Sequence, residues 1–102
     1  MTPLRKIIYL SGTRADFGLM QSTLVLLAKV ANVSIAVTGM HLAQDFGHTI
    51  DEICAAGLRI CGEIPVDVAT RNAQSMSAGI GECLIGMTSL LNREQPDILV
   101  LL

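Results

Sequence analysis

The segment from Ser11 to Gly18 carries residue types that could bind an anion. It has the sequence Ser-Gly-Thr-Arg-Ala-Asp-Phe-Gly and follows directly on a short apolar run. Gly12 allows close backbone approach, the first amides of a helix favour negative charge, and Arg14 could bind phosphate oxygens through two nitrogens. The spacing matches neither GxGxxG nor GxxxxGK[ST], so neither a dinucleotide nor a P-loop nucleotide is indicated. The alternative is an ordinary turn, with Arg14 and Asp16 solvated or paired with each other.

The segment Thr38-Gly39-Met40-His41-Leu42 is a second candidate, because it follows another apolar run. If both runs are parallel strands, His41 lies at the same edge of the sheet as Arg14. There it could donate a hydrogen bond to a phosphate or transfer a proton. A structural hydrogen bond is the alternative role for a loop histidine. His48 is expected only to shape the entry to the next helix.

The remaining titratable residues form no pair suited to acid–base catalysis and no cluster with metal-ligand spacing. Asp67 and Arg71 lie in a loop that could reach the same edge, and their spacing does not decide it. Cys54, Cys61 and Cys83 show no CxxC spacing, so we expect buried, reduced thiols. The sequence therefore offers a binding edge without a complete active site.

Composition limits the class of protein. The chain has 102 residues, enough for one small domain, and 51% of them are apolar, which is ample for a core. A net charge of -2 provides no general attraction for nucleic acid or anionic lipid. The apolar run at 7–10 is too short for a signal peptide or a membrane span. We therefore expect a cytoplasmic protein that binds neither nucleic acid nor membrane.

Strand-like and helix-like patterns alternate along the chain. Met20, Leu24, Leu27 and Ala31 recur at helical spacing. Elsewhere, a capping-box pattern at 49–52 and a glycine at 57 bound a short helix. The predicted strands cover 6–10, 33–38, 58–66 and 97–102, and the predicted helices cover 17–31, 49–57 and 72–93. This order predicts an α/β fold, a Rossmann-like parallel sheet with helices on both faces.

The last predicted strand, 97–102, is apolar along its whole length. Such a strand is expected in the middle of a parallel sheet, and ligand-binding loops lie at the carboxyl ends of such strands. The loop after Leu102 is therefore where chemistry is expected. Residues 1–102 are then expected to be a fragment of a larger protein, and a natural four-stranded protein is the alternative.

Three segments, SGTRADFGLM, VTGMHLAQDFGHTIDEI and LNREQPDILVLL, together resemble the N-terminal third of the hydrolysing UDP-N-acetylglucosamine 2-epimerases of sialic and nonulosonic acid synthesis. The resemblance implies a two-domain fold of the glycosyltransferase-B type with a UDP-sugar in the cleft. It implies removal of the C2 proton as UDP leaves, and then hydration of the glycal to the 2-epimeric free sugar. The substrate would be UDP-N-acetylglucosamine or a related UDP-diacetamido sugar, and no cofactor would be needed.

The resemblance also assigns roles to residues of this chain. Arg14 matches the family arginine that contacts the UDP phosphates, and His41 matches a loop histidine near the sugar and phosphate, with proton handling as its candidate role. Asp16 would hold the turn together. The residues that would shape the same turn are Gly12, Thr13 and Gly18.

In the family, a Gly-Asp-Arg turn whose aspartate is a catalytic candidate follows the strand that matches 98–102, so this chain alone is expected to be inactive. The family tends to form homo-oligomers through its N-terminal domain. Small residues between Gly79 and Gly86 are compatible with such tight helix packing. Two alternatives stay open, a stand-alone binding or interaction module with an open sheet edge and a fragment of a glycosyltransferase.

Overall fold

A computed structural model of the chain describes residues 5–39, 50–65 and 72–102. Its four strands form one parallel sheet in the order β3-β2-β1-β4. The elements in chain order are β1 (Lys6–Ser11), α1 (Arg14–Leu27), β2 (Asn32–Thr38), α2 (Ile50–Ala55), β3 (Arg59–Ile64), α3 (Ala73–Glu94) and β4 (Ile98–Val100). The predicted fold class is confirmed.

Side chains of the central strands alternate between two apolar layers, as the period of two in a strand requires. Tyr9 and Ile35 belong to the layer that contains Phe17 and Leu24 of α1 and Ile53 of α2. On the opposite face, Ile8 of β1 and Ala36 of β2 pack in a cluster with residues of α3, namely Met87 and Leu90. Helices therefore cover both faces of the sheet, and the two middle strands, β1 and β2, position the candidate site.

Helix α1 begins earlier than its apolar periodicity predicts. The helix starts at Arg14 rather than at Phe17, because Thr13 caps it and receives a hydrogen bond from the Asp16 amide. It ends at Leu27, since tighter turns follow, with the amide of Val30 donating to Leu27 at 3.0 Å. The predicted helix is confirmed, and both predicted ends are wrong by three or four residues.

The other predicted elements keep their order with small changes at the ends. β1 extends to Ser11, β2 begins at Asn32 and β3 ends at Ile64. Gly57 has a φ of +81°, so it takes the left-handed conformation predicted for the end of the second helix. The predicted capping pair of that helix includes position 49, which lies outside the described residues, as does His48.

The predicted central place of the last strand depends on residues beyond 102 and stays a prediction. β4 pairs only with β1 within the described residues, and its residues Ile98 and Leu99 are 43% and 38% exposed. An apolar strand needs neighbours on both sides and helices on both faces to bury all of its side chains. Here the strand order puts β1 and β2 in the middle, so part of the apolar surface of β4 stays open.

The cysteines are free, as predicted, but their predicted burial is only partly right. Cys61 and Cys83 are half-buried, whereas Cys54 is exposed. Cys54 directly follows Ile53, the buried residue of α2. Since successive helical residues point about 100° apart, the side chain after the buried one turns away from the core.

Helix α3 approaches β3 closely where glycines replace larger side chains. A Cβ atom placed on Gly86 would lie 2.7 Å from Cγ2 of Ile64, and one on Gly62 would collide with Leu90. Close packing was predicted from the small residues of this helix and is confirmed at Gly86. A Cβ on Gly81, by contrast, would meet no atom within 4 Å.

We predict that Gly86→Ala and Gly81→Ala change stability in opposite directions. The first variant forces Ile64 aside, and overpacking of this kind costs about 1–3 kcal/mol, more than the roughly 1 kcal/mol gained in helix propensity. The second gains helix propensity without a clash and should raise the free energy of unfolding by up to about 1 kcal/mol. Urea unfolding of both variants measures this, and equal shifts would contradict the close contact.

Candidate functional site

The carboxyl ends of three strands meet at one edge of the sheet. Ser11 pairs with Val37, and Thr38 pairs with Ile64, so the ends of β1, β2 and β3 are level. The hydroxyl of Thr38 donates to the carbonyl oxygen of Ile64 at 2.7 Å, which ties the ends of two strands together. Because ligands of open parallel sheets bind at this edge, it is where the candidate residues must be sought.

The carboxylate of Asp16 organises the turn between β1 and α1. Its Oδ2 accepts hydrogen bonds from the amides of Gly12 at 3.0 Å and Thr13 at 2.8 Å. Its Oδ1 accepts from the hydroxyls of Ser11 at 2.6 Å and Tyr9 at 3.1 Å. The amide of Asp16 in turn donates to Thr13 Oγ1 at 3.1 Å, which completes a reciprocal capping box. The turn is therefore fixed from both the strand and the helix.

Hydrogen bonding decides the protonation of this network. Partial burial acts to raise the pKa of Asp16, but the hydrogen bonds from Ser11, from the amides of Thr13 and Gly12 and from Tyr9 outweigh it and lower the pKa below its usual value. Burial, followed by the charge of Asp16 and its hydrogen bond, raises the pKa of Tyr9 to about 12. At neutral pH Asp16 is thus ionised, and Tyr9 is a neutral donor.

This cap changes how the turn can bind an anion. The amides of Gly12 and Thr13 point to the carboxylate of Asp16. They are therefore not directed at a ligand. The amides of Arg14 and Ala15 come next and have no acceptor within the helix, as is general for a first turn. Of the backbone donors at this turn, these two amides are therefore the ones that remain for an anion.

The structure brings some of the predicted site residues together and not others. A Cβ on Gly12 would lie 3.8 Å from Cγ2 of Thr38, so this glycine sits between the turn and the end of β2. Arg14 is the first residue of α1, at the carboxyl edge. Gly18 is an exposed residue one turn further along the helix, with open space around it, and takes no part in the cap. His41 lies outside the described residues, as do positions 67 and 71.

Sequence reasoning missed Tyr9 and gave Ser11, the first residue of the candidate segment, no role of its own. The pattern Thr-x-x-Asp at 13–16 could have revealed the cap, since it is a capping-box signature. A tyrosine within an apolar strand is a further signal, because a buried phenol requires a hydrogen-bond partner. Only the fold shows that this partner is Asp16.

Other kinds of site are not found in the parts of the chain that the structure describes. No three His, Cys, Asp or Glu side chains among them are grouped so that they could hold a metal ion. None of the described helices combines the length and apolar character needed to cross a membrane.

A parallel sheet with helices on both faces and a capped turn at its carboxyl edge defines a Rossmann-like α/β protein. The family model described as UDP-N-acetylglucosamine 2-epimerase matches residues 27–102, most of the chain. The chain belongs to this family, which is of the glycosyltransferase-B type. The match begins after the turn at 11–18, so the turn itself is not part of it.

Two curated proteins are similar over almost the whole chain. A UDP-N,N'-diacetylbacillosamine 2-epimerase (hydrolyzing) from Legionella pneumophila is 48% identical over 101 residues, which is 97% of this chain and 27% of that protein. The polysialic acid biosynthesis protein P7 from Escherichia coli is 25% identical over 101 residues, 97% of this chain and 26% of its own length. The chain thus spans about a quarter of the length of each of these relatives.

We predict that Asp16→Asn lowers the free energy of unfolding at pH 7 by about 1–3 kcal/mol, because an amide replaces an ionised acceptor. The folded-state pKa of Asp16 is lowered, so its contribution is present above the unfolded value of about 4 and is lost as pH falls through the folded value. The acid-induced loss of stability below about pH 4 should therefore be smaller in the variant.

Asp51→Asn is the control for this measurement, since Asp51 is an exposed aspartate in the first turn of another helix. Urea unfolding between pH 2.5 and 7 compares the three proteins. If Asp16→Asn followed the same pH dependence as the unaltered chain, the assigned hydrogen bonds would not hold the carboxylate in its ionised form.

Proposed function

We propose that this chain is the N-terminal part of a hydrolysing UDP-sugar 2-epimerase, which releases UDP and the 2-epimeric free sugar. The observation that carries the proposal is the 48% identity over nearly the whole chain to an enzyme with that activity in its name. The family membership supports it.

In this proposal the turn that begins α1 binds the diphosphate of the UDP-sugar. Departure of UDP places negative charge on the phosphates, and preorganised donors at that point lower the barrier. Arg14 would supply the positive charge, with Gly12 and Thr13 shaping the turn and Asp16 holding it. Gly18 would contribute only to the start of the helix, and His41 would act near the sugar, where proton handling is its candidate role.

The preferred sugar is proposed to be a UDP-diacetamido sugar, with UDP-N-acetylglucosamine as the second candidate. The relative that is 48% identical is named for UDP-N,N'-diacetylbacillosamine, whereas the family description names UDP-N-acetylglucosamine. The reaction proposed for either sugar is elimination of UDP followed by hydration. No cofactor is included in this scheme.

The active protein is proposed to be longer than the present chain. Both relatives are nearly four times as long, and a glycosyltransferase-B fold places its ligand between two domains. Residues 1–102 would then form part of the N-terminal domain and one wall of the cleft. A cytoplasmic location is proposed as well, since all three cysteines are free.

The test is release of UDP by the gene product that carries this chain, assayed with each of the two UDP-sugars. We expect turnover of at least one of them and faster turnover of the diacetamido sugar. Arg14→Ala should lower kcat/KM by about 100-fold, because a donor to the leaving phosphates is lost. Lys29→Ala, which removes an exposed cation after the end of α1, should leave the rate unchanged. No UDP from either sugar would refute the assignment.

We also propose that the protein forms a homo-oligomer through α3. Met76, Ile80 and Leu84 follow one another at a spacing of four residues, and each is more than 60% exposed. A row of exposed apolar side chains on one helix is the usual character of a surface that packs against another chain.

Light scattering on the complete gene product tests this arrangement. We expect the mass of an oligomer for the unaltered protein and the mass of a monomer for Ile80→Glu, because a buried carboxylate would disfavour the interface. Leu19→Glu is the control, since Leu19 of α1 is 75% exposed and lies outside the row. A strictly monomeric unaltered protein would exclude the oligomer.

A further inference from the structure

Tyr9 combines complete burial with a contact to the candidate site. It has no exposed surface and packs in the layer formed with Phe17, Leu24 and Ile35. Its hydroxyl nevertheless extends to the carboxyl edge of the sheet, where it lies 3.1 Å from Oδ1 of Asp16. Because Tyr9 is fully buried, it cannot touch a ligand at that edge, and any influence on binding must pass through Asp16.

The two oxygens of the Asp16 carboxylate are held by different parts of the chain. Donors in β1, the hydroxyls of Tyr9 and Ser11, bind Oδ1. Amides of the turn, those of Gly12 and Thr13, bind Oδ2. Since a carboxylate is planar and rigid, fixing Oδ1 from the strand also fixes the direction of Oδ2. The position of the turn is thereby set from within the core.

We propose that Tyr9 is a positioning residue for the diphosphate of the ligand. Through Asp16, its hydroxyl fixes the turn from which α1 begins, and Arg14 is the first residue of that helix. This assignment rests on the proposed function, because it requires that the turn binds phosphate. Loss of the hydroxyl would leave the ring in the core and allow the carboxylate, and with it the turn, to move.

The test is Tyr9→Phe in the complete gene product, with UDP and uridine as the two probes in a calorimetric binding measurement. We expect the Kd for UDP to rise about five- to tenfold, the loss typical of one hydrogen bond. The Kd for uridine, which lacks the phosphates, should stay within about twofold, since only phosphate binding depends on the turn. A general destabilisation of the protein would instead raise the Kd values for UDP and uridine together.

Ser34→Ala is the matched control. It removes a hydroxyl that is also fully buried, in β2, and for which the described residues provide no hydrogen-bond partner. It should leave both Kd values unchanged. Ser11→Ala is a second variant, which removes the other donor to Oδ1 of Asp16. It should also raise the Kd for UDP while leaving the Kd for uridine unchanged. It keeps the test decisive if Tyr9→Phe fails to fold.

The binding measurements distinguish a failure of the proposed function from a failure of the positioning role of Tyr9. An unaltered protein that binds no UDP overturns the proposed function and the role of Tyr9 together. If the unaltered protein binds UDP and Tyr9→Phe binds it equally well, only the positioning role is overturned. Equal weakening of UDP and uridine by Tyr9→Phe likewise overturns that role and leaves the proposed function intact.

Discussion

A carboxylate can be withdrawn from bulk water only when donors meet its oxygens, and Asp16 finds these donors in β1 and in the turn that follows. The strand cannot separate from the start of α1 without leaving a partly buried charge short of hydrogen bonds. Leaving a partly buried charge without its hydrogen bonds costs more free energy than losing an ordinary contact in a turn. The geometry of the carboxyl edge, including the place of Arg14, therefore depends on this one side chain.

Different interactions stabilise the opposite edge of the sheet, where the strands begin. The Asp97 carboxylate accepts a hydrogen bond from the Lys6 amide at 2.7 Å, and the Lys6 ammonium lies 3.2 Å from Glu94. Hydrogen bonds from Lys6 and Arg93 lower the pKa of Glu94. Ion pairs between side chains thus join the start of β1 to the end of α3. At the carboxyl edge, by contrast, the described hydrogen bonds to Asp16 come from neutral hydroxyls and backbone amides. None of these donors is a cation.

The sequence was sufficient for the fold class because apolar periodicity is a local property. Every described strand and helix overlaps a predicted one, and the missed start of α1 at Arg14 was also encoded locally, in Thr13 and Asp16. The order of the described strands was not predictable in this way, since it depends on pairing between distant parts of the chain. The same holds for Tyr9, whose partner is seven residues away and faces it only after α1 docks on β1.

The cap at Asp16 also bears on how phosphate can be bound in the proposed enzyme. Hydroxyls and amides satisfy the hydrogen-bonding capacity of the carboxylate, but they do not cancel its charge. A diphosphate near this turn would therefore meet one negative charge, while two of the amides that usually attract phosphate point elsewhere. The helix dipole, equivalent to about half a positive charge, offsets only part of this repulsion. In the proposed enzyme, phosphate binding would then need a full cation beside the first-turn amides, and Arg14, at the first position of α1, is the candidate for it.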